Sequence, residues 1–282
     1  MSTPTFPEIN PETRMLIDGQ LVPAAAGKTY NNINPANNQV AGVCADAGVE
    51  DMERAIAAAR RAFDETDWST NHAFRVKCLK QLRDAMKAHA DALRYQMVAE
   101  VGCPLGLTYG PQTDLPISFI DWTIGFVEQY VWEHELPTVN VVGVPSKRLV
   151  WKEAAGVVAA ITPWNFPLQI NLAKVIPALA AGCTVILKPA PDTPWTATFI
   201  GKMIAEHTEI PAGVFNVVTS EDPTVLGDML TGDPRVDVVS FTGSTGIGKH
   251  IMKRGADTVK KVFLELGGKS AHIILDDADI NF

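Results

Sequence analysis

Residues 156–188, GVVAAITPWNFPLQINLAKVIPALAAGCTVILK, decide how the rest of the chain is read. Residues 156–161 are a short apolar run with two valines, the pattern of a buried strand. A turn follows at TPWNFP, residues 162–167. Residues 168–181 place Ile170, Ala173, Val175, Ile176 and Leu179 close to helical spacing. Gly182 stops that helix, and 183–187 is a second buried strand ending in Lys188. Strand, helix and strand in one run make a βαβ unit with parallel strands and a right-handed crossover. Ligands of such sheets bind outside the carboxyl ends of the strands. That singles out Asn165 and Lys188, each just past a strand end.

Downstream the alternation continues. A helix is expected at 195–207, a strand at 214–218, a short helix at 224–230, a strand at 236–241, a helix at 245–254 and a strand at 259–264. This is an α/β chain with a doubly wound, mostly parallel, Rossmann-like sheet. A further strand is expected at 272–275, with Asp276, Asp277 and Asp279 as a helix-start cluster. Upstream, residues 15–22 read as a hairpin around Asp18–Gly19, and the Asn- and Pro-rich stretch 30–45 contains a second extended piece. Amphipathic helices are expected at 49–65, with Met52, Ile56 and Phe63 inward, at 71–101, with Leu79, Leu82, Met86 and Leu93 inward, and at 115–133. Between these N-terminal helices and the main sheet, segments 139–144 and 148–152 flank 145–147 as a protruding β-hairpin with exposed valines and Trp151. A two-stranded ribbon is marginal alone and leaves edges to satisfy.

The bulk numbers narrow the function classes. With 282 residues, 46% of them hydrophobic, the chain can bury a large core as one big or two ordinary domains. No apolar run reaches the roughly 18–20 residues of a membrane span, and residues 1–10 lack the basic and apolar regions of a signal peptide. A net charge of −8 argues against a nucleic-acid partner. Cys44, Cys78, Cys103 and Cys183 show no C-x-x-C spacing, and His72, His89 and His134 show no metal-ligand spacing, so no metal site is expected. Reduced thiols without an export signal suit a cytoplasmic location.

TGSTGIGKH, residues 242–250, invites competing motif readings. Gly243-x-x-x-x-Gly248-Lys249 is a Walker A loop up to its last position, where His250 replaces the Ser or Thr that would hold Mg²⁺. The dinucleotide fingerprint G-x-G-x-x-G is absent. A third reading needs neither: a strand-to-helix loop opens a helix whose free N–H groups favour a phosphate. Asn165, flanked by Trp164 and Phe166, can serve as a turn residue or present an amide into a dry cleft. Glu265 ends an apolar strand and precedes LGGK, where a carboxylate is costly unless paired, for instance with Lys269, or used.

Five stretches taken in order carry a resemblance. TPWNFP (162–167), KPAPDTP (188–194), PAGVFNVV (211–218), FTGSTGIG (241–248) and LELGGKSA (264–271) resemble the NAD(P)-dependent aldehyde dehydrogenases over nearly the whole chain. The resemblance implies cofactor contacts at Ile161, Thr162, Pro163, Trp164, Lys188, Gly227, Phe241, Gly243, Ser244, Leu266 and Gly267. Among these, Lys188 would bond the adenosine ribose and Gly243 and Ser244 would lie by the pyrophosphate. It implies that Asn165 donates to the oxyanion formed when a thiolate attacks an aldehyde, and that Glu265, in a desolvated position, is the general base for thioester hydrolysis. Many relatives carry Glu three positions after the lysine as a second ribose contact. Here Pro191 stands there, with Asp192 next. A proline does not repel a 2′-phosphate, so NADP stays open as an alternative, and NAD is the preferred reading.

The same resemblance implies a division of the chain. Residues 1–137 and 156–264 would form a cofactor-binding domain, 138–155 a hairpin that pairs with a neighbouring subunit, and 265–282 the start of a catalytic domain. The nucleophilic cysteine of relatives lies a few tens of residues beyond the glutamate. Cys183 reads as an inert core residue, and the other three lie outside the site motifs. The chain therefore reads as a portion of an aldehyde-oxidising homo-oligomer, without turnover alone and with apolar surface exposed. Two alternatives stand beside this: a truncated nucleotide-binding or interaction module, and a P-loop phosphotransferase using 243–249.

Overall fold

Two hairpins open the chain in the structure, a computed structural model that describes residues 9–280. The expectations for the first eight residues, and for the last two of the 265–282 segment, lie outside the described residues. Strands β1 (Met15–Ile17) and β2 (Gln20–Val22) turn at Asp18–Gly19 as expected, and β3 (Thr29–Asn34) pairs with β4 (Gln39–Ala45). Helix α1 (Val49–Glu65) buries Met52, Ala55, Ile56, Ala59 and Ala62. Phe63, expected inward, is only half-buried, because the guanidinium of Arg60 stacks over its ring.

The helix expected over 71–101 is two helices, α2 (His72–Ala88) and α3 (Ala90–Val101). His89 breaks it: its ring Nδ1 and its backbone N–H both approach the carbonyl of Ala85. Leu79, Leu82, Met86 and Leu93 are nonetheless buried on both sides of the break. After the short α4 (Leu105–Thr108), α5 (Asp114–Glu128) ends five residues earlier than expected, because Glu133 already belongs to the next strand. That strand, β5 (Glu133–Val141), pairs with β6 (Val144–Trp151). The turn falls at Val142–Gly143, not at 145–147, with φ of 52° and 82°. Two left-handed residues match the twist of paired strands, and glycine takes that conformation freely where Pro145 cannot.

The alternating half follows as β7 (Val157–Ile161), α6 (Pro167–Ala180), β8 (Thr184–Lys188), α7 (Pro194–His207), β9 (Phe215–Val217), α8 (Pro223–Gly232), β10 (Val238–Gly243), α9 (Thr245–Ala256) and β11 (Lys261–Leu266). The seven-stranded sheet runs β11-β10-β7-β8-β9-β1-β2. Its first five strands are parallel, and β1 and β2 extend it antiparallel beyond β9. Both faces are covered, as a parallel sheet requires. Val158, Ala160, Val185 and Leu187 pack with α2, α5, α6 and α7, while Val157, Ala159, Ile186 and Val239 pack with α1, α8 and α9.

No strand forms at 272–275, and no helix follows Asp276 within the described residues. A strand needs a ladder partner for its backbone groups, and no described strand pairs with these residues. Ile273, Ile274 and Leu275 are exposed there, as is Phe263 on the edge strand β11. No helix among the described residues is long and apolar enough to cross a membrane.

Candidate functional site

Register places residues near the carboxyl ends of four strands on one rung. Lys188 pairs with Ile161, Ile161 with Phe241, and Phe241 with Leu264, so β8 and β7 finish on one rung that β10 and β11 cross two residues before their own ends. From β7 the chain steps to β8 and β9 on one side, then returns to β10 and β11 on the other. The order reverses between β7 and β10, the kind of switch point where open α/β sheets hold ligands. A crevice of about 230 Å³ lies there, lined by Ile161, Thr162 and Phe241 from the sheet and by α8 and α9.

Lys188 is buried on the β8 side of this crevice, only 2% exposed. Desolvation pushes its amine down to about 8, partly opposed by the carboxylate of Asp222, which caps α8 by accepting from the Thr224 N–H at 2.7 Å. Thr162 donates its backbone N–H to the Lys188 carbonyl at 3.2 Å, and its buried hydroxyl has no partner. Gly227 also lines the crevice, and a Cβ there would meet nothing within 4 Å. A buried ammonium and an orphaned buried hydroxyl on two residues that line the slot suit a hydroxyl-bearing ligand such as a ribose.

Gly243 ends β10, and Ser244 caps α9 by accepting from the Ile247 N–H at 3.4 Å. A Cβ on Gly243 would lie 2.5 Å from the ring of Phe241, so the backbone lies against that ring only because the residue is glycine. The free N–H groups of the first turn of α9 favour an anion. The Walker A reading needs 243–249 as a loop wrapped round a phosphate. Here Gly246, Gly248 and Lys249 are already inside α9, so that cradle does not form.

Pro163, Trp164 and Asn165 rise from the end of β7 towards α6. The side chain of Asn165 is exposed, while its carbonyl accepts from Gln112 Nε2 at 3.3 Å. Trp164, 59% exposed, belongs to a neighbouring hollow of about 520 Å³ that it shares with Tyr30, Glu100, Pro191 and Asp192, not to the crevice itself. Pro191 lines both. Leu266 pairs with Gly243 and packs against Gly248, and Gly267 follows it, exposed.

Glu265 pairs with Thr242 one step beyond the rung, but its side chain is exposed on β11, not desolvated as expected. An edge strand leaves that side open to water. Lys269 is not its partner either, since its Nζ bonds the Gly268 carbonyl at 3.2 Å. The Glu265 carboxylate acts instead on Lys174 of α6, which sequence reasoning missed. Its Nζ donates to Ser240 Oγ at 3.0 Å, and burial pushes its amine down while the Glu265 carboxylate opposes that shift. The available signal was the single charged residue of a largely apolar helix. Asp228 and His250, which also line the crevice, were missed as binding residues too.

Cys44, Cys78, Cys103 and Cys183 are all buried and free. Burial pushes every one of these thiols up, Cys44 to about 12 and Cys78 to about 11. None is a reactive thiolate. Among the described residues no group of three or more His, Cys, Asp and Glu is placed to hold a metal ion.

Known proteins share this arrangement. The aldehyde dehydrogenase family profile matches residues 21–282. A 3-succinoylsemialdehyde-pyridine dehydrogenase of Pseudomonas sp. is 41% identical over 266 residues, covering 94% of this chain and 53% of that protein. The NADP(+) succinate-semialdehyde dehydrogenase GabD of Escherichia coli is 40% identical over 270 residues, 94% of this chain and 54% of its own length. The betaine aldehyde dehydrogenase of Staphylococcus aureus, solved in complex with NAD+, superposes with a TM-score of 0.88 at 36% identity, covering 96% of this chain and 53% of that one. The chain spans about half the length of these relatives.

Proposed function

This chain belongs to the aldehyde dehydrogenase family, and from that premise we propose that it grips the nicotinamide dinucleotide of an enzyme oxidising an aldehyde to a carboxylic acid. The observation that carries the proposal is the level rung Lys188–Ile161–Phe241–Leu264 beside a crevice at the sheet's switch point. Lys188 and Thr162 are the groups that would hold a ribose, and the N-terminus of α9 behind Gly243 and Ser244 would face the pyrophosphate. At about 230 Å³ the crevice is smaller than the roughly 300–1,000 Å³ typical of ligand pockets, which suits the nucleoside half alone. Bound there, the dinucleotide supplies the hydride acceptor.

The chain's own residues would do the remaining work at the rim. Asn165, exposed at the end of β7, offers an amide N–H to a developing oxyanion. Glu265 takes a proton from the hydrolytic water, with Lys174 fixing the charge balance around it. The thiolate that such chemistry needs is none of the four buried cysteines, so it must come from outside these 282 residues.

The assignment of 1–137 and 156–264 to one cofactor-binding unit is supported by the shared cores on both sheet faces. The β5–β6 ribbon, with Val141, Val142, Val144 and Trp151 exposed, would pair with a second copy of the protein. Free, buried thiols suit a reducing cytoplasm. Calorimetric titration of the purified chain tests the central reading. NAD should bind without Mg²⁺, and at least as tightly as NADP. Binding of ATP that requires Mg²⁺, with no binding of either dinucleotide, would refute it.

A further inference from the structure

We propose that Asp228 and His250 read the base of the bound dinucleotide, selecting a purine that carries an exocyclic amine over one that carries a carbonyl in its place. The proposal rests on the reading of the crevice as the seat of the cofactor's nucleoside. His250 is the residue that spoils the Walker A match, and nothing in the proposed reaction uses it.

Nε2 of His250 lies 2.6 Å from Oδ1 of Asp228, a bond that spans the gap between α9 and α8, and both residues line the crevice. Arg254, one turn further along α9, forms an ion pair with the same carboxylate oxygen, its Nε 3.0 Å away but outside hydrogen-bond geometry. The carboxylate is thus held from two directions. In the tautomer that donates Nε2–H to Asp228, the imidazole keeps Nδ1 as an acceptor. The carboxylate is an acceptor throughout. This part of the slot, walled by Ile247 and Ile251, open over Gly227 and on the helix side away from the Lys188 strand end, therefore presents acceptors to whatever enters.

Position along the helix agrees. His250 is six residues past the Ser244 cap, roughly 9 Å along the axis, about the length of a nucleoside from a phosphate at the helix N-terminus. An amine on the base would donate to Nδ1 of His250 or to Asp228. A carbonyl there would face the Asp228 carboxylate and the Nδ1 lone pair in place of a donated bond, and a site built around such a bond rejects the analogue that lacks it. The two side chains are 42% and 53% exposed, so a pair that merely ties α8 to α9 would leave base choice alone.

The test compares NAD with its deaminated analogue, nicotinamide hypoxanthine dinucleotide, by calorimetric titration of the purified chain. NAD should bind at least about tenfold more tightly. His250→Val and Asp228→Ala should each bring the ratio towards one, mainly by weakening NAD. Equal binding of the two by the unaltered chain, or a ratio untouched in both variants, overturns the inference while leaving the cofactor site standing. Failure of the unaltered chain to bind either dinucleotide overturns the cofactor reading and this inference with it. The comparison on the unaltered chain holds even where a variant does not fold.

Discussion

Lys174 reaches from α6 to the central sheet, where its Nζ donates to Ser240 Oγ at 3.0 Å. Ser240 pairs across the ladder with Phe263, and Glu265 stands two residues further along β11, hence on the same face. The exposed carboxylate therefore acts on the half-buried ammonium at the rim where the water-activating step is proposed.

Lys174→Met removes that cation and keeps the aliphatic bulk. In an active enzyme containing this chain, the rising limb of the pH–turnover profile should move to higher pH. Lys174→Arg should fall between. Superimposable profiles for the three proteins would separate Lys174 from the chemistry of Glu265.

Lys188→Met should separate stability from binding. The amine titrates near 8 when folded, against 10.5 for a free lysine. Between those values the unfolded chain holds the proton and the folded chain does not, so stability rises with pH across that window. Below it the cost of burying the ammonium is fully present, on the order of 3 kcal/mol. Lys188→Met should therefore be more stable at pH 7 by about 1–3 kcal/mol and should lose the rise between 8 and 10.5. Urea denaturation across pH reads both effects. NAD affinity should drop at least about tenfold, the loss of roughly one charge-assisted hydrogen bond.

Gly243→Ala drives a methyl group against the Phe241 ring. The ring can swing away, so the stability loss should be modest, about 1 kcal/mol. The displaced ring lines the crevice, however, and nucleotide binding should suffer more than folding does. A variant that melts early but binds NAD normally would mean that Phe241 does not shape the site.

Asn165→Ala should lower turnover of the active enzyme by about 10²-fold or more. The chain should unfold at an unchanged denaturant midpoint, because the Asn165 side chain is exposed and only its carbonyl is bonded, by Gln112. Unchanged turnover would remove the oxyanion assignment.

The local order of the chain was legible in its residues. The apolar runs of β7 and β8, the helical spacing of α6 and the Asp18–Gly19 turn are signals written within a few neighbouring positions, because backbone dihedrals and one-sided burial act over that range. The motif residues Ile161, Thr162, Lys188, Gly227 and Phe241 do line one crevice, since a strand end and the loop after it travel together. The order of strands in the sheet, the antiparallel capture of β1 by β9, the break at His89 and the two-residue tip at Val142–Gly143 came from tertiary packing. So did the pairings of Lys174 with Ser240 and of Asp228 with His250, which join positions 66 and 22 residues apart. Contacts between distant segments depend on how whole faces stack, and no short window of sequence carries that information. The exposure of Glu265 shows the same limit: an apolar strand pattern announces burial, but whether a neighbour covers the strand is settled by its place at the edge of the sheet.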